Sequence, residues 1–241
     1  MKAQNGLLWP LAAWLIIAVN FCTAAWPNGP LRTDGRWITD ASGNNVTLVG
    51  ANWPGHEWVM IPEGLQYLSI ADIVSKIKSL GMNAVRLTYA IQMIDQLDVN
   101  GGNGGTDVTI EKALVDALGS KNGTAVLQKI IENNPEFSVK TTRFQVWDAV
   151  AAECAKQEVY ILLDNHISKA GWCCSPFDGN SWWGDTYFSA TNWTNGLAYM
   201  ANYTKTKWPS LIAMSLRNEL RQPLTNMRQR LQLQPARDKS V

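Results

Sequence analysis

Residues 211 to 220, Leu211-Ile212-Ala213-Met214-Ser215-Leu216-Arg217-Asn218-Glu219-Leu220, put an amide and a carboxylate directly behind an apolar run. Such a run reads as a buried strand, and the C-terminal end of a parallel strand opens onto the face where barrel enzymes keep their chemistry. Glu219 would then stand at a catalytic mouth. The plainer reading is an exposed acid in the loop after an ordinary strand. Three further apolar runs also end in polar groups: Asn52 to Trp58 follows the first, Arg86 to Tyr89 closes the second, and Asp164-Asn165-His166 closes the third.

The segments between these clusters must position them. Arg36-Trp37-Ile38 and the turn at Asp40 to Asn45 predict a hairpin, with Val46 to Ala51 as the first core strand. Ser69 is a predicted N-cap; Ile70, Ile73, Val74, Ile77 and Leu80 follow at helical spacing, and Gly81 stands where a helix stops. Asn83 to Leu87 predicts a second strand, which completes a βαβ unit. Gly101 to Gly105 reads as a linker, because no downstream glycine completes a nucleotide fingerprint. Helices are predicted at Thr109 to Leu118, Thr124 to Asn133, Thr141 to Gln157 and about Asn192 to Lys207, with strands at Val159 to Asp164 and from Leu211. Strands alternating with helices argue for parallel pairing and right-handed crossovers. In a barrel the four polar ends are neighbours on one rim. An open doubly wound sheet is the alternative, but it would usually bring a glycine-rich first turn that is missing here.

Length and charge narrow the function. The chain of 241 residues, 46% hydrophobic and 17% charged, is sufficient for a sizeable core. With 21 Lys and Arg against 20 Asp and Glu there is no basic field for a nucleic acid, so a neutral partner fits best. Twelve Trp supply flat faces that stack on sugars as readily as they fill a core. Lys2, the apolar stretch Leu7 to Val19 and the small residues Thr23, Ala24 and Ala25 form a predicted signal peptide over 1–25, cleaved after Ala24 or Ala25. The mature protein is thus expected to be secreted and extracellular, with no membrane association. Asn45, Asn122, Asn192 and Asn202 each open an Asn-x-Thr glycosylation sequon, although such triplets also arise by chance.

Cleavage would leave Cys154, Cys173 and Cys174. Direct bonding between neighbours is strained, which predicts a disulfide of Cys154 with Cys173 or Cys174 and one unpaired thiol. His56-Glu57 lacks the second His of a zinc-protease motif, since residue 60 is Met. With two His and no clustered carboxylates, no metal and no cofactor are expected.

Asn52-Trp53, Gly81-Met82-Asn83-Ala84-Val85-Arg86-Leu87, Asp164-Asn165-His166 and Arg217-Asn218-Glu219, in that order, resemble glycoside hydrolase family 5, the cellulase-like retaining β-glycosidases built on a (β/α)8 TIM barrel. The likeness covers about residues 31 to 224, and 26–224 is read as the N-terminal part of such a catalytic domain. It implies Glu219 as proton donor and later base, with Asn218 on the 2-hydroxyl of the sugar. It further implies Arg86 orienting the nucleophile carboxylate and His166 lining the subsite beside the scissile bond. Trp53, Glu57, Trp172, Trp182 and Trp183 are candidate contacts to a β-linked oligosaccharide or polysaccharide, with simple packing as the plainer role of each.

The resemblance also exposes a gap. The family's nucleophile Glu follows a seventh strand, and none is assignable here. About four of the eight β/α units are legible, and eight would take roughly 400 residues. Residues 225–241 are polar and basic without a strand signal, and are read as a tail outside the fold. An incomplete barrel, poorly stable and hydrolytically inactive, is therefore expected. The alternative function is a non-catalytic secreted carbohydrate-binding or interaction protein derived from such an enzyme.

Overall fold

The computed structural model describes residues 26–99, 106–175 and 177–221. The predicted signal peptide, the Gly101 to Gly105 linker and the basic tail lie outside the described residues.

A short antiparallel hairpin, β1 (Arg32–Asp34) and β2 (Trp37–Thr39), precedes the main sheet. The sheet has four parallel strands in chain order: β3 (Gly50–Trp53), β4 (Ala84–Ala90), β5 (Tyr160–Ile167) and β6 (Leu211–Ser215). The connections carry α1 (Ile70–Ser79), then α2 (Gln92–Val99), α3 (Ile110–Asn133) and α4 (Arg143–Lys156), then α5 (Ala190–Lys207). Four successive parallel strands with helical crossovers form part of a (β/α)8 barrel, as the alternation of elements predicts.

Local chemistry explains the helices. The Ser69 hydroxyl accepts from the Asp72 N–H to start α1, while Ile70 and Val74 are buried, and Gly81 takes a left-handed φ of 77° just past its end. Thr142 and Gln145 form a reciprocal capping box on α4. That helix buries Phe144, Trp147, Val150, Ala151 and Cys154 along one side. Gly119, at φ 76°, interrupts α3 between the two helical segments expected on either side of it.

Side-chain alternation divides the sheet into two faces. Val85, Leu87, Ile161 and Leu163 are fully buried within the hydrophobic core, whereas Asn52, Arg86, Asp164 and Ser215 meet on the opposite face. Burying one Leu or Ile side chain of the core stabilises by about 1.5–3 kcal/mol, so this layer fixes the strands that carry the polar ends. The first core strand runs Gly50–Trp53 rather than Val46 to Ala51, because it follows the register of β4, where Gly50 faces Ala84. Val46 instead donates its N–H to Ile38, extending the hairpin. The predicted disulfide is also corrected. Cys154 is a free, fully buried thiol on α4, and Cys173 bonds Cys174 in the loop after β5. Cys154 packs in the core with Val150 and Ala151, and Cys173 is already engaged by Cys174. No described helix is long and apolar enough to cross a membrane.

Candidate active site

The C-terminal ends of β4, β5 and β6 bring Arg86, Asp164, His166 and Asn218 into one network. Asp164 is 1% exposed and its Oδ2 accepts from Arg86 Nη2 at 2.8 Å and from His166 Nδ1 at 2.6 Å, while the Ser215 hydroxyl donates to Oδ1. Burial opposes ionisation of Asp164, but the hydrogen bonds from His166 and Ser215 and the charge of Arg86 prevail and hold its carboxyl below the usual range. Because Asp164 is a carboxylate, it accepts from Nδ1–H, and Nε2 is the ring nitrogen that faces Asn218. The Asn218 amide reads both neighbours: Oδ1 accepts from Arg86 Nη2 at 2.7 Å, and Nδ2 donates toward His166 Nε2 at 3.4 Å.

A second ring of contacts fixes this loop. The Asn218 N–H donates to the Asn165 carbonyl, and Asn165 Nδ2 donates to the Leu216 carbonyl at 3.0 Å. Arg217 donates to the Asn180 carbonyl at 2.8 Å and lies 4.2 Å over the Phe188 ring. Burial, followed by the charge of Arg221, pulls its guanidinium down to about 10. Arg221 pairs with Asp178 at 2.9 Å.

His56 forms the floor beside His166. Gly55 permits it, since a Cβ there would meet the Thr88 carbonyl oxygen at 2.9 Å. The turn brings His56 Nδ1 within 2.8 Å of Thr88 Oγ1 and sets its ring 4.1 Å from that of His166, tilted by 44°. Burial and then repulsion from His166 in its protonated form lower the His56 pKa to about 4, so His56 is neutral at pH 7.

Not every predicted site residue joins this group. Glu219 is next in chain to Asn218, yet its side chain is 64% exposed, with Arg221 Nη1 at 3.9 Å as its nearby cation. Its φ of 38° is left-handed, a conformation that costs a non-glycine residue about 1–2 kcal/mol. Trp53 is corrected from a sugar contact to a core residue: it is 5% exposed and its indole N–H donates to the Glu63 carbonyl at 2.8 Å. Asn52 and Trp53 point to opposite faces of β3, so Asn52 takes the site side, where its Oδ1 accepts from Arg86 at 3.4 Å.

Glu57 is half-buried, which raises its carboxyl pKa. It lines an open cavity of about 480 Å³ with Trp58 and Tyr67. Trp172 is 74% exposed, and Trp182 and Trp183 touch edge to face at 4.8 Å. The four sequon asparagines, Asn45, Asn122, Asn192 and Asn202, are all exposed.

Sequence reasoning missed the roles of Asp164, Ser215, Asn52 and His56. Asp164 and Asn52 share the face of Arg86 through the strand registers, Asn52 opposite Arg86 and Asp164 opposite Thr88, which the sequence does not give. Cys173 and Cys174 lie against Asn218, whose Nδ2 is 3.6 Å and 3.5 Å from the two sulfurs.

No family model matches the chain. A glycosyl hydrolase 5 family protein of Chamaecyparis obtusa is 39% identical over 215 residues, covering 88% of this chain and 36% of that protein. The major extracellular endoglucanase of Xanthomonas campestris pv. campestris is 27% identical over 86% of this chain and 36% of its own length. The catalytic domain of the major Xanthomonas campestris endoglucanase superposes with a TM-score of 0.51 at 22% identity, over 78% of this chain and 45% of that one. A Pyrococcus horikoshii endocellulase complexed with cellotetraose gives 0.51 at 20% identity, over 76% and 40%. At these identities the solved structures establish the fold. The chain thus spans about 36% of the length of the Chamaecyparis and Xanthomonas relatives.

Proposed function

Over part of its length the chain is related to the cellulase-like enzymes of glycoside hydrolase family 5, and on that premise we propose that it carries the acid/base side of a retaining β-glycosidase site. The observation that supports this most is Asn218, held between Arg86 and His166 with Glu219 as the next residue.

In the proposed reaction Glu219 protonates the glycosidic oxygen and afterwards takes a proton from water. Asn218 binds the 2-hydroxyl, a contact that tightens as positive charge develops on the sugar ring. Arg86 keeps the site cationic toward a nucleophile carboxylate, and His166, oriented by Asp164, lines the subsite. The substrate class is a β-linked oligosaccharide or polysaccharide, with Trp172, Trp182, Trp183 and Glu57 as further contacts. Exposed Trp faces suit neutral sugars. The Xanthomonas relative named as extracellular, the predicted leader and the exposed sequons support secretion and glycosylation of this chain.

Retention needs a second carboxylate about 5 to 5.5 Å from the first. Asp164 does not serve, being 1% exposed and engaged by three donors. The 241-residue chain alone is therefore proposed to bind sugar without cleaving it. The exposed position of Glu219 and the 74% exposure of Trp172 favour the second reading, a carbohydrate-binding protein without catalysis.

The test is an assay of the purified chain on β-linked glucans and mannans alongside calorimetric binding of a β-linked tetrasaccharide. Binding without turnover is expected. Turnover that is lost in Glu219→Gln would establish an active hydrolase and reverse the inactivity; absence of both binding and turnover would remove the sugar site.

A further inference from the structure

His166, Cys173 and Cys174 have ligand atoms within 4.8 Å of one another, and Asn218 Nδ2 lies near His166 Nε2 and both sulfurs. Three features of this cluster go beyond sugar binding. The Asp164 carboxylate occupies Nδ1 at 2.6 Å, so Nε2 is the ring nitrogen left to a metal. A carboxylate behind a His is the support that metal-ligating imidazoles receive in proteins. Asn218 Nδ2 points at both sulfurs, and Arg221 Nη1 lies 3.9 Å from Cys173 Sγ, so donors and positive charge surround the place where thiolates would form. Finally, all three ligand residues are partly open to solvent, which gives a metal ion a way in.

We propose that reduction converts this pair into a metal site in which Cys173, Cys174 and His166 bind one soft divalent cation of the zinc class. A dithiol reductant passes two electrons and two protons to the sulfurs and leaves as its own disulfide. The S–S bond breaks and two S–H bonds form. The cation then displaces both thiol protons and takes the lone pair of Nε2, leaving a fourth position for water. Two thiolates cancel the charge of the ion, so the surrounding arginines do not repel the product. Donors that share a zinc ion, at about 2.3 Å from sulfur and about 2.0–2.1 Å from nitrogen, lie within roughly 4.6 Å of one another. Rotation of the freed Sγ atoms therefore suffices to close the set.

The site excludes the sugar. A cation on Nε2 occupies the place toward which Asn218 Nδ2 now donates at 3.4 Å, and so displaces that amide from between Arg86 and His166. This consequence rests on the function proposed above, whereas metal binding does not. Buried Cys154 takes no part, since it is fully enclosed by the core.

The full chain is reduced with a dithiol, freed of reductant without oxygen, and titrated with Zn²⁺ against a chromophoric chelator and with Co²⁺ by absorption. One equivalent is expected to bind the reduced chain with a thiolate-to-cobalt charge-transfer band, and none the oxidised chain. His166→Ala, with its fold checked by circular dichroism, is expected to weaken binding by at least about 100-fold, because even loss of a supporting contact costs 10–100-fold. Equal binding by oxidised and reduced chain, or an unchanged affinity in His166→Ala, would overturn the proposal. The oxidised and reduced wild-type comparison decides without any variant. Binding of the β-linked tetrasaccharide to the oxidised chain is measured separately: its absence speaks against the sugar site, and its loss on adding Zn²⁺ to the reduced chain supports the mutual exclusion.

Discussion

Arg86 Nη2 lies 2.7 Å from Asn218 Oδ1 and 2.8 Å from Asp164 Oδ2, so one nitrogen ties the loop after β6 to the carboxylate of β5. Asp164 is nearly inaccessible, and losing the guanidinium removes one of its three donors and its charge partner. Breaking a buried ion pair costs about 3–5 kcal/mol. His166 and Ser215 remain on Asp164 and the Arg86 side chain is 31% exposed, so Arg86→Ala is expected to destabilise by about 2 kcal/mol. Arg86→Lys keeps a charge without the second contact and should fall between. Denaturant unfolding of the three proteins measures this, and an Arg86→Ala midpoint equal to wild type would contradict it.

Asn218 makes a sharper prediction about binding. Asn218→Asp keeps the shape, satisfies Arg86 and loses the donor that faces His166 Nε2. If the amide serves the sugar, affinity for a β-linked tetrasaccharide should drop about tenfold, the value of one hydrogen bond of about 1.4 kcal/mol, with stability nearly unchanged. Calorimetric titration of variant and wild type reads the difference directly; equal affinities would place the sugar elsewhere.

The pH dependence follows from His56. Its folded pKa, about 4, is below the ordinary 6.5, so between those values the unfolded chain binds the extra proton. Its contribution is fully present above pH 6.5 and is lost as pH falls toward 4, by up to about 1.4 kcal/mol for each pH unit. Asp164 works in a separate window, because its lowered pKa makes its contribution present above 3.8 and lost below that as pH falls through the folded value. Stability measured from pH 7 to pH 4 should therefore decline, and His56→Gln, which cannot charge, should flatten the decline. A slope identical in the variant would show that another group is responsible.

Strand order and the polar ends were readable because an apolar run followed by Asp164 to His166, or by Arg217 to Glu219, records burial in the sequence itself. The start of β3 was not, since Val46 to Val49 have strand propensity while pairing with β4 decides the register, and that is a long-range choice. Helix α2 was missed although Met93, Ile94 and Leu97 are buried, because the stretch carries no capping residue to mark it. Trp53 and Asn52 show the finest limit: adjacent residues face opposite sides, and only the sheet says which side is the site. The convergence of Arg86, Asp164 and Asn218 likewise depends on strands far apart in the chain: the alternation of strands and helices sets their ends on one rim, and the resemblance to an enzyme family supplies their roles.

The two possible pairings of the cysteines predict different peptides. Cys154 lies in the core and burial, then the Glu153 charge, pushes its thiol up to about 12, so almost no reactive thiolate exists at pH 8. Cys173 and Cys174 bond each other at the partly exposed rim. Alkylation followed by peptide mass mapping should leave Cys154 unmodified in the native chain both before and after a mild dithiol, label Cys173 and Cys174 only after it, and label Cys154 only when the chain is unfolded. A cross-linked peptide joining Cys154 to the 173–174 segment would instead mean that α4 and the rim loop approach each other, and the core position of Cys154 would have to be abandoned.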